Sequence, residues 1–540
     1  MRPSAALACV LCVAGCAAGD EPNPIGTAGA SAPSDVDTGL ADDSDDSDDS
    51  DDSDDSDDSD DSDDSGDSGD SDDSGDSGDS GDDSGLDIHH SAAPTAADST
   101  IRYATDYEKV HTISSGDLDG DGHPDLVVAA EPPFAGETNH VFVEHGAHPS
   151  GESAGAADVV LTMDASTGFG RAVQVVDDLD GDGYDELLVG APNRYEDLHS
   201  LVGSAFLIHG PITSGAAPDL ADVEWQHATP GTQAGGSVSA VGDVDADGVV
   251  DLLIGTHPGG PADEGTTGVV VLVSSSASGD VDLDTAPVAT ISHNTTSNLG
   301  PGTKLTALGD VNGDGYDDFA ISNAFLVQHT PGPGAVFVFL GPLTGDLQAT
   351  DADAILTGVE DHEAAGVSIE GNHDWTGDGN ADLIIGAPLA PDAPPWEGAI
   401  HLVPAPHHTS ASVASLATWT AEGHDDYQML GGSLSGGDAD GDGQADILAG
   451  NGFHIEDMNR GSGWQALGGA HLFLGPLSGT TDTSQANVSF TPSSVYHGSD
   501  VELMGDADGD GTDDIAILDG TLTGGEPPGM VYVYHTGAWF

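Results

Sequence analysis

A nine-residue pattern of carboxylates recurs through most of the chain, first as Asp117-Leu118-Asp119-Gly120-Asp121-Gly122-His123-Pro124-Asp125. Side-chain oxygens at positions 1, 3, 5 and 9, a backbone carbonyl at position 7 and glycine at position 6 form a donor set for a hard divalent cation. Calcium takes six to eight oxygens, and a glycine lets the chain turn sharply around the ion. In this first loop the side-chain donors are Asp117, Asp119, Asp121 and Asp125, with His123 offering its carbonyl. The second has Asp178, Asp180, Asp182 and Glu186 with Tyr184, and the third Asp243, Asp245, Asp247 and Asp251 with Val249. The fourth has Asp310, Asn312, Asp314 and Asp318 with Tyr316, and the fifth Asp374, Thr376, Asp378 and Asp382 with Asn380. Asp438, Asp440, Asp442 and Asp446 with Gln444 make the sixth, and Asp506, Asp508, Asp510 and Asp514 with Thr512 the seventh. The pattern predicts about seven bound Ca2+ ions. Thr376 places a hydroxyl where the other loops have a carboxylate or an amide, so the fifth site is expected to bind most loosely.

The elements that must position these loops are strands. An EF-hand needs a bidentate glutamate at position 12 within a helix. Here the residues after each loop are short apolar runs, such as Asp125-Leu126-Val127-Val128 and Asp382-Leu383-Ile384-Ile385. A third apolar run follows, as in His140-Val141-Phe142-Val143 and Ala335-Val336-Phe337-Val338. Weaker fourth runs include 159–162, 223–227 and 354–356. From the loop starts given above the repeat is 61 to 68 residues, and four antiparallel strands per repeat make the blade of a propeller. The expected fold is therefore all-β, a seven-bladed β-propeller over residues 99–540. The seventh repeat ends after its third strand, so the apolar segment Ser99 to Ala104 is expected to supply the missing strand and close the ring.

The repeats resemble the FG-GAP repeats of the integrin α-subunit propeller and related bacterial proteins. Gly168-Phe169-Gly170 precedes the second loop, Gly190-Ala191-Pro192 follows it, and Gly386-Ala387-Pro388 repeats the second half; Leu430-Gly431-Gly432 and Leu299-Gly300 are degraded copies of the first. The resemblance implies that partners meet the calcium-free rim, where Phe134, Tyr195, Trp396, Phe453 and Trp464 lie in second-to-third-strand loops and Tyr427 in a connection between blades. The alternative for each ring is packing against a neighbouring blade.

The N-terminus points to export. Arg2, an apolar stretch from Ala5 to Val13, and Val13-Ala14-Gly15-Cys16 resemble a bacterial lipoprotein signal, which implies a lipid on Cys16 and residues 1–16 as signal peptide. Ala17 after the cysteine favours the outer membrane under the common sorting rule. Cys9, Cys12 and Cys16 are the only cysteines, so the mature chain has no disulfide. Residues 17–98 are expected to be an unfolded acidic linker, since 41–85 contain only Ala, Asp, Ser and Gly, 24 of them aspartates.

With 7 Lys plus Arg against 97 Asp plus Glu and a net charge of −90, nucleic acid is excluded as a partner. No zinc-protease, Gly-x-Ser-x-Gly or cysteine-nucleophile pattern is present, and His89-His90 and His407-His408 read as solvated pairs. The sequence thus predicts a non-enzymatic, calcium-binding adhesion or recognition module for a protein or carbohydrate ligand. A structural envelope or matrix scaffold and a calcium-dependent carbohydrate-active enzyme are the alternatives.

Overall fold

In a computed structural model, the described residues are 97–540 apart from 104–108, 132–137, 147–152, 155–156, 194, 198–199, 228–231, 257–267, 293–303, 325–331, 360–362, 391–395, 406, 426, 452–467, 491–496, 521–528 and 538. Cys16, the signal and linker segments up to residue 96, and Phe134, Phe453 and Trp464 lie outside them. The described chain is all-β: seven four- or five-stranded sheets form the blades of a seven-bladed propeller.

The first repeat shows the plan. After β1 (Ser99–Tyr103), strands β2 (Lys109–Gly116), β3 (Asp125–Glu131) and β4 (Thr138–Glu144) form an antiparallel meander. A two-residue strand β5 (Ser153–Ala154) leads to β6 (Val159–Asp164), which completes the blade beside β4. The first strands of the seven blades line the axis, each packed on the next, with the last, His497–Leu503, packed on β2. As expected, β1 closes the ring, pairing antiparallel with Met530–Tyr534 in the register Ser99↔Val533 to Arg102↔Met530.

Among the described residues, every blade but the sixth also receives an outer strand from its successor. Gly279–Asp282, which follows the third strand of the third blade, runs parallel to Val223–Gln226 of the second. Gly345–Gln348 and Gly479–Asp482 do the same for the third and fifth blades. These segments are polar and half solvated, so no apolar alternation marks them in the sequence.

Second strands are apolar on both faces because the cores lie between blades. Val127 and Ala129 pack with Phe169, Leu187 and Val189 of the next blade, whereas Leu126, Val128 and Ala130 pack with Ile101, Leu518 and Val533 of the previous one. Seven such clusters, one per blade junction, replace a single central core.

The axis collects acids instead. Glu502 accepts from Ser115 Oγ at 3.0 Å and Asp500 Oδ2 from the Ile113 amide at 3.1 Å. Burial pushes both Glu370 and Glu502 up to about 8; neighbouring Asp500 adds to the effect on Glu502, and Lys304 opposes it at Glu370. Both glutamates keep their proton in the folded state well above the pH at which the unfolded chain releases it. Stability is therefore expected to fall as pH rises from the ordinary carboxylate range to about 8, then level off. The Glu370 side chain is 28 % exposed, so channel water screens it, and the loss is about 1 kcal/mol per group between pH 7 and 9. Thermal melts with chelator should fall more steeply between pH 7 and 9 in the parent protein than in Glu370→Gln/Glu502→Gln; an equal slope in both would refute it.

Candidate metal centre

Each acidic loop joins the first and second strands of its blade, so the meander places all seven loops at one end of the ring. Asp117 Oδ1 accepts from the amides of Gly120 (2.7 Å) and Asp121 (3.0 Å), and Oδ2 from Gly122 (2.8 Å). Asp119 accepts from Asp121, and Asp121 from His123. The bond from the position-6 glycine to the position-1 carboxylate recurs at 2.7–2.9 Å in all seven loops. That glycine has φ between +82° and +97°, with open space around it. Backbone conformation, not crowding, therefore requires glycine there.

The position-9 carboxylates also hold the fold together. Asp125 Oδ2 accepts from the Leu118 amide at 2.9 Å and Oδ1 from Gly146 at 2.8 Å, tying the loop to the end of the third strand. Asp318 and Asp446 make the same pair of bonds. All seven position-9 residues are at most 1 % exposed. Burial pushes Asp125, Glu186, Asp318 and Asp382 up to about 6 and Asp251 and Asp446 up to about 7, and raises Asp514 too. A cation in the loop would hold these carboxylates ionised.

Two atoms fit that role directly. Asp251 Oδ1 is buried with no hydrogen-bond partner, and so is Asn312 Oδ1 of the neighbouring loop. An orphaned carboxylate oxygen is costly to bury, and coordination to a cation would satisfy it. The fifth loop departs from the rest: the Thr376 amide, at position 3, takes over the bond to Asp382, and the Thr376 hydroxyl turns 3.4 Å from Asp374 Oδ1. Its neighbour Trp375 is fully buried and donates from Nε1 to the Asp446 carbonyl in the next blade.

Adjacent loops are clamped in three places by the position-8 residue. Asp185 Oδ2 accepts from the Asp117 amide at 2.7 Å, Asp317 from Asp243 at 2.8 Å, and Asp513 from Asp438 at 2.6 Å.

Sequence reading missed three histidines. His145, His209 and His535 end the third strands of the first, second and seventh blades and lie against loop carboxylates. The shared run of third-strand residues followed by His and, in two cases, Gly was the available signal.

At the opposite end, the glycines of the two half-motifs meet across blades. The Gly170 amide donates to the Gly190 carbonyl, and a Cβ on Gly190 would lie 2.0 Å from the Gly235 carbonyl oxygen of the third blade. Ala234-Gly235 and Ala365-Gly366 keep this junction with alanine in place of phenylalanine. Tyr195 lies in a short ribbon, Tyr195–Asp197 with Ser200–Leu201. Trp396 is only 9 % exposed, packed with Leu389 and Met429, with Tyr427 edge-on at 6.4 Å. These two rings pack this corner of the rim. His407, expected to be solvated, is 3 % exposed; burial, with His408 beside it, lowers its pKa to about 4.

The FG-GAP repeat family model matches residues 110–143, 169–203 and 302–339, in the first, second and fourth blades. The chain is 32 % identical over 234 residues to human phosphatidylinositol-glycan-specific phospholipase D, covering 42 % of this chain and 26 % of that protein. It is also 32 % identical over 157 residues to integrin alpha-PS2 of Drosophila melanogaster, covering 27 % of this chain and 11 % of the integrin. Integrin alpha pat-2 of Caenorhabditis elegans is 30 % identical over 225 residues, 39 % of this chain and 17 % of that one. The chain thus spans about a quarter or less of the length of these relatives. It is a seven-bladed β-propeller that carries FG-GAP repeats and is similar, over those parts, to integrin α chains.

Proposed function

We propose that this chain is an exported, lipid-anchored recognition module, a propeller whose loops bind about seven calcium ions and whose opposite rim meets a protein or carbohydrate. One observation carries the reading: the same carboxylate cage recurs at one end of all seven blades, which supports a common metal-binding role for that end and a recognition role for the other. Similarity to integrin α chains supports adhesion or recognition. The membrane link is the lipid on Cys16, at the cell envelope and by its sorting residue the outer membrane.

The test presents the calcium-loaded protein to arrays of glycans and of envelope and matrix proteins, beside a variant with 452–467 and 521–528 replaced by Gly-Ser linkers. Saturable binding lost in that variant with an unchanged melt supports the reading. Since one relative is named a phospholipase D, turnover of a glycosylphosphatidylinositol or polysaccharide substrate by the purified protein would overturn it.

Within the ring, site-resolved calcium titration should fill the fifth loop last, and Thr376→Asp should tighten that site on the order of tenfold. If the fifth loop filled first, the ranking from its hydroxyl ligand would be wrong.

A further inference from the structure

We propose that three contiguous blades, the seventh, first and second, hold mixed imidazole–carboxylate sites that select a first-row divalent transition metal, such as Zn2+ or Mn2+, over calcium. His145 Nδ1 lies 2.9 Å from Asp119 Oδ2 and 3.4 Å from Asp125 Oδ2. His209 Nδ1 lies 3.4 Å from Asp180 Oδ2 and 3.1 Å from Glu186 Oε1. His535 Nδ1 lies 3.8 Å from Asp508 Oδ2 and 3.0 Å from Asp514 Oδ2. In each triad the ligand atoms lie within 4.8 Å of one another. Donors about 2.1 Å from a metal stand roughly 3.0–3.4 Å apart in octahedral or tetrahedral geometry; the His145 and His209 separations match one shared ion, and the His535 triad needs Asp508 to close in from 3.8 Å.

Register explains why the triads form. The residue ending the third strand lies opposite the position-9 carboxylate, as in the pairing Asp251↔Ser274, and from that place the imidazoles of His145, His209 and His535 reach the loop carboxylates. The same place holds Leu340 and Leu474 in the fourth and sixth blades, identified by the bonds of their amides to Asp353 and Asn487; His145 and His209 bond Asp158 and Asp222 in the same way. The fifth blade has Pro404 there, one residue beyond the pairing Leu383↔Val403, so at this place only the seventh, first and second blades add a nitrogen.

That difference sets selectivity. Calcium takes oxygen donors, whereas imidazole with carboxylates suits zinc, manganese and cobalt. The position-9 carboxylate is fully buried and the imidazole 20–25 % exposed, so each triad has a fixed inner wall and open positions toward solvent. The proposal rests on the reading of the loops as cation cages, but it assigns these three a different ion.

The test uses the whole, untagged chain. After chelation, Co2+ is added with millimolar calcium, bound cobalt is counted by equilibrium dialysis, and its visible d–d absorption is recorded. About three Co2+ should be retained. Each of His145→Gln, His209→Gln and His535→Gln should weaken one site at least tenfold, and the triple variant should retain none while its calcium-dependent melt stays unchanged. Full displacement of cobalt by calcium, or equal retention in the triple variant, would overturn the proposal and leave a histidine–carboxylate ion pair only. A melt indifferent to calcium with three cobalt ions still bound would instead defeat the calcium reading alone.

Discussion

Stripping the bound cations from all seven loops is expected to lower the melting temperature by about 20 °C. A site at a hundredfold excess of ion over its Kd contributes about 2.7 kcal/mol, so seven contribute about 19 kcal/mol. Spread over the unfolding entropy of a propeller the size of residues 97–540, at about 2.1 cal/mol/K per residue, that gives the shift stated. Repulsion among the carboxylates of each cage, unscreened without the ion, acts in the same direction. The measurement is calorimetry with millimolar calcium and with chelator, with bound ions counted at saturation. An unchanged melt, or no bound calcium, would reduce the loops to solvated turns held by their own amide bonds.

The second large effect concerns ring closure. Deleting residues 99–103 is expected to abolish the cooperative transition, because it opens the edge of Met530–Tyr534 and removes Ile101 from the junction between the seventh and first blades. A milder change, Ile101→Ala, should cost about 3 kcal/mol, since the side chain is 7 % exposed among Val110, Val128 and Val531. Circular dichroism melts of both variants decide the matter. A deleted chain that melts as sharply and as late as the parent would mean that β1 is dispensable.

Much of this was legible in the sequence because it is local. An acidic loop is written in consecutive residues, and the one at Asp117 sets a strand on either side of it. The closing strand was legible by counting, since the seventh repeat ends one strand short. Features that depend on neighbouring blades were hidden. Gly345–Gln348 has no apolar side chain but Leu347, and only its pairing with the previous blade makes it a strand. His145 meets Asp119 through the strand register, 26 residues away in sequence. The turn at Ala234-Gly235 keeps its backbone after losing its phenylalanine, because the close approach there is between glycine backbones. Trp396 and Tyr427 could equally have faced solvent, and only the corner formed with Leu389 and Met429 shows where they go.

The outer strands give the ring a direction. Each is donated backward, from one blade to the blade before it, as Gly279–Asp282 is to Val223–Gln226. A proteolytic nick just after a third strand therefore does unequal damage on its two sides. It strips the outer strand from the preceding blade but leaves the following blade's outer strand, which comes from further along the chain, in place. Fraying from such a cut runs toward the N-terminus.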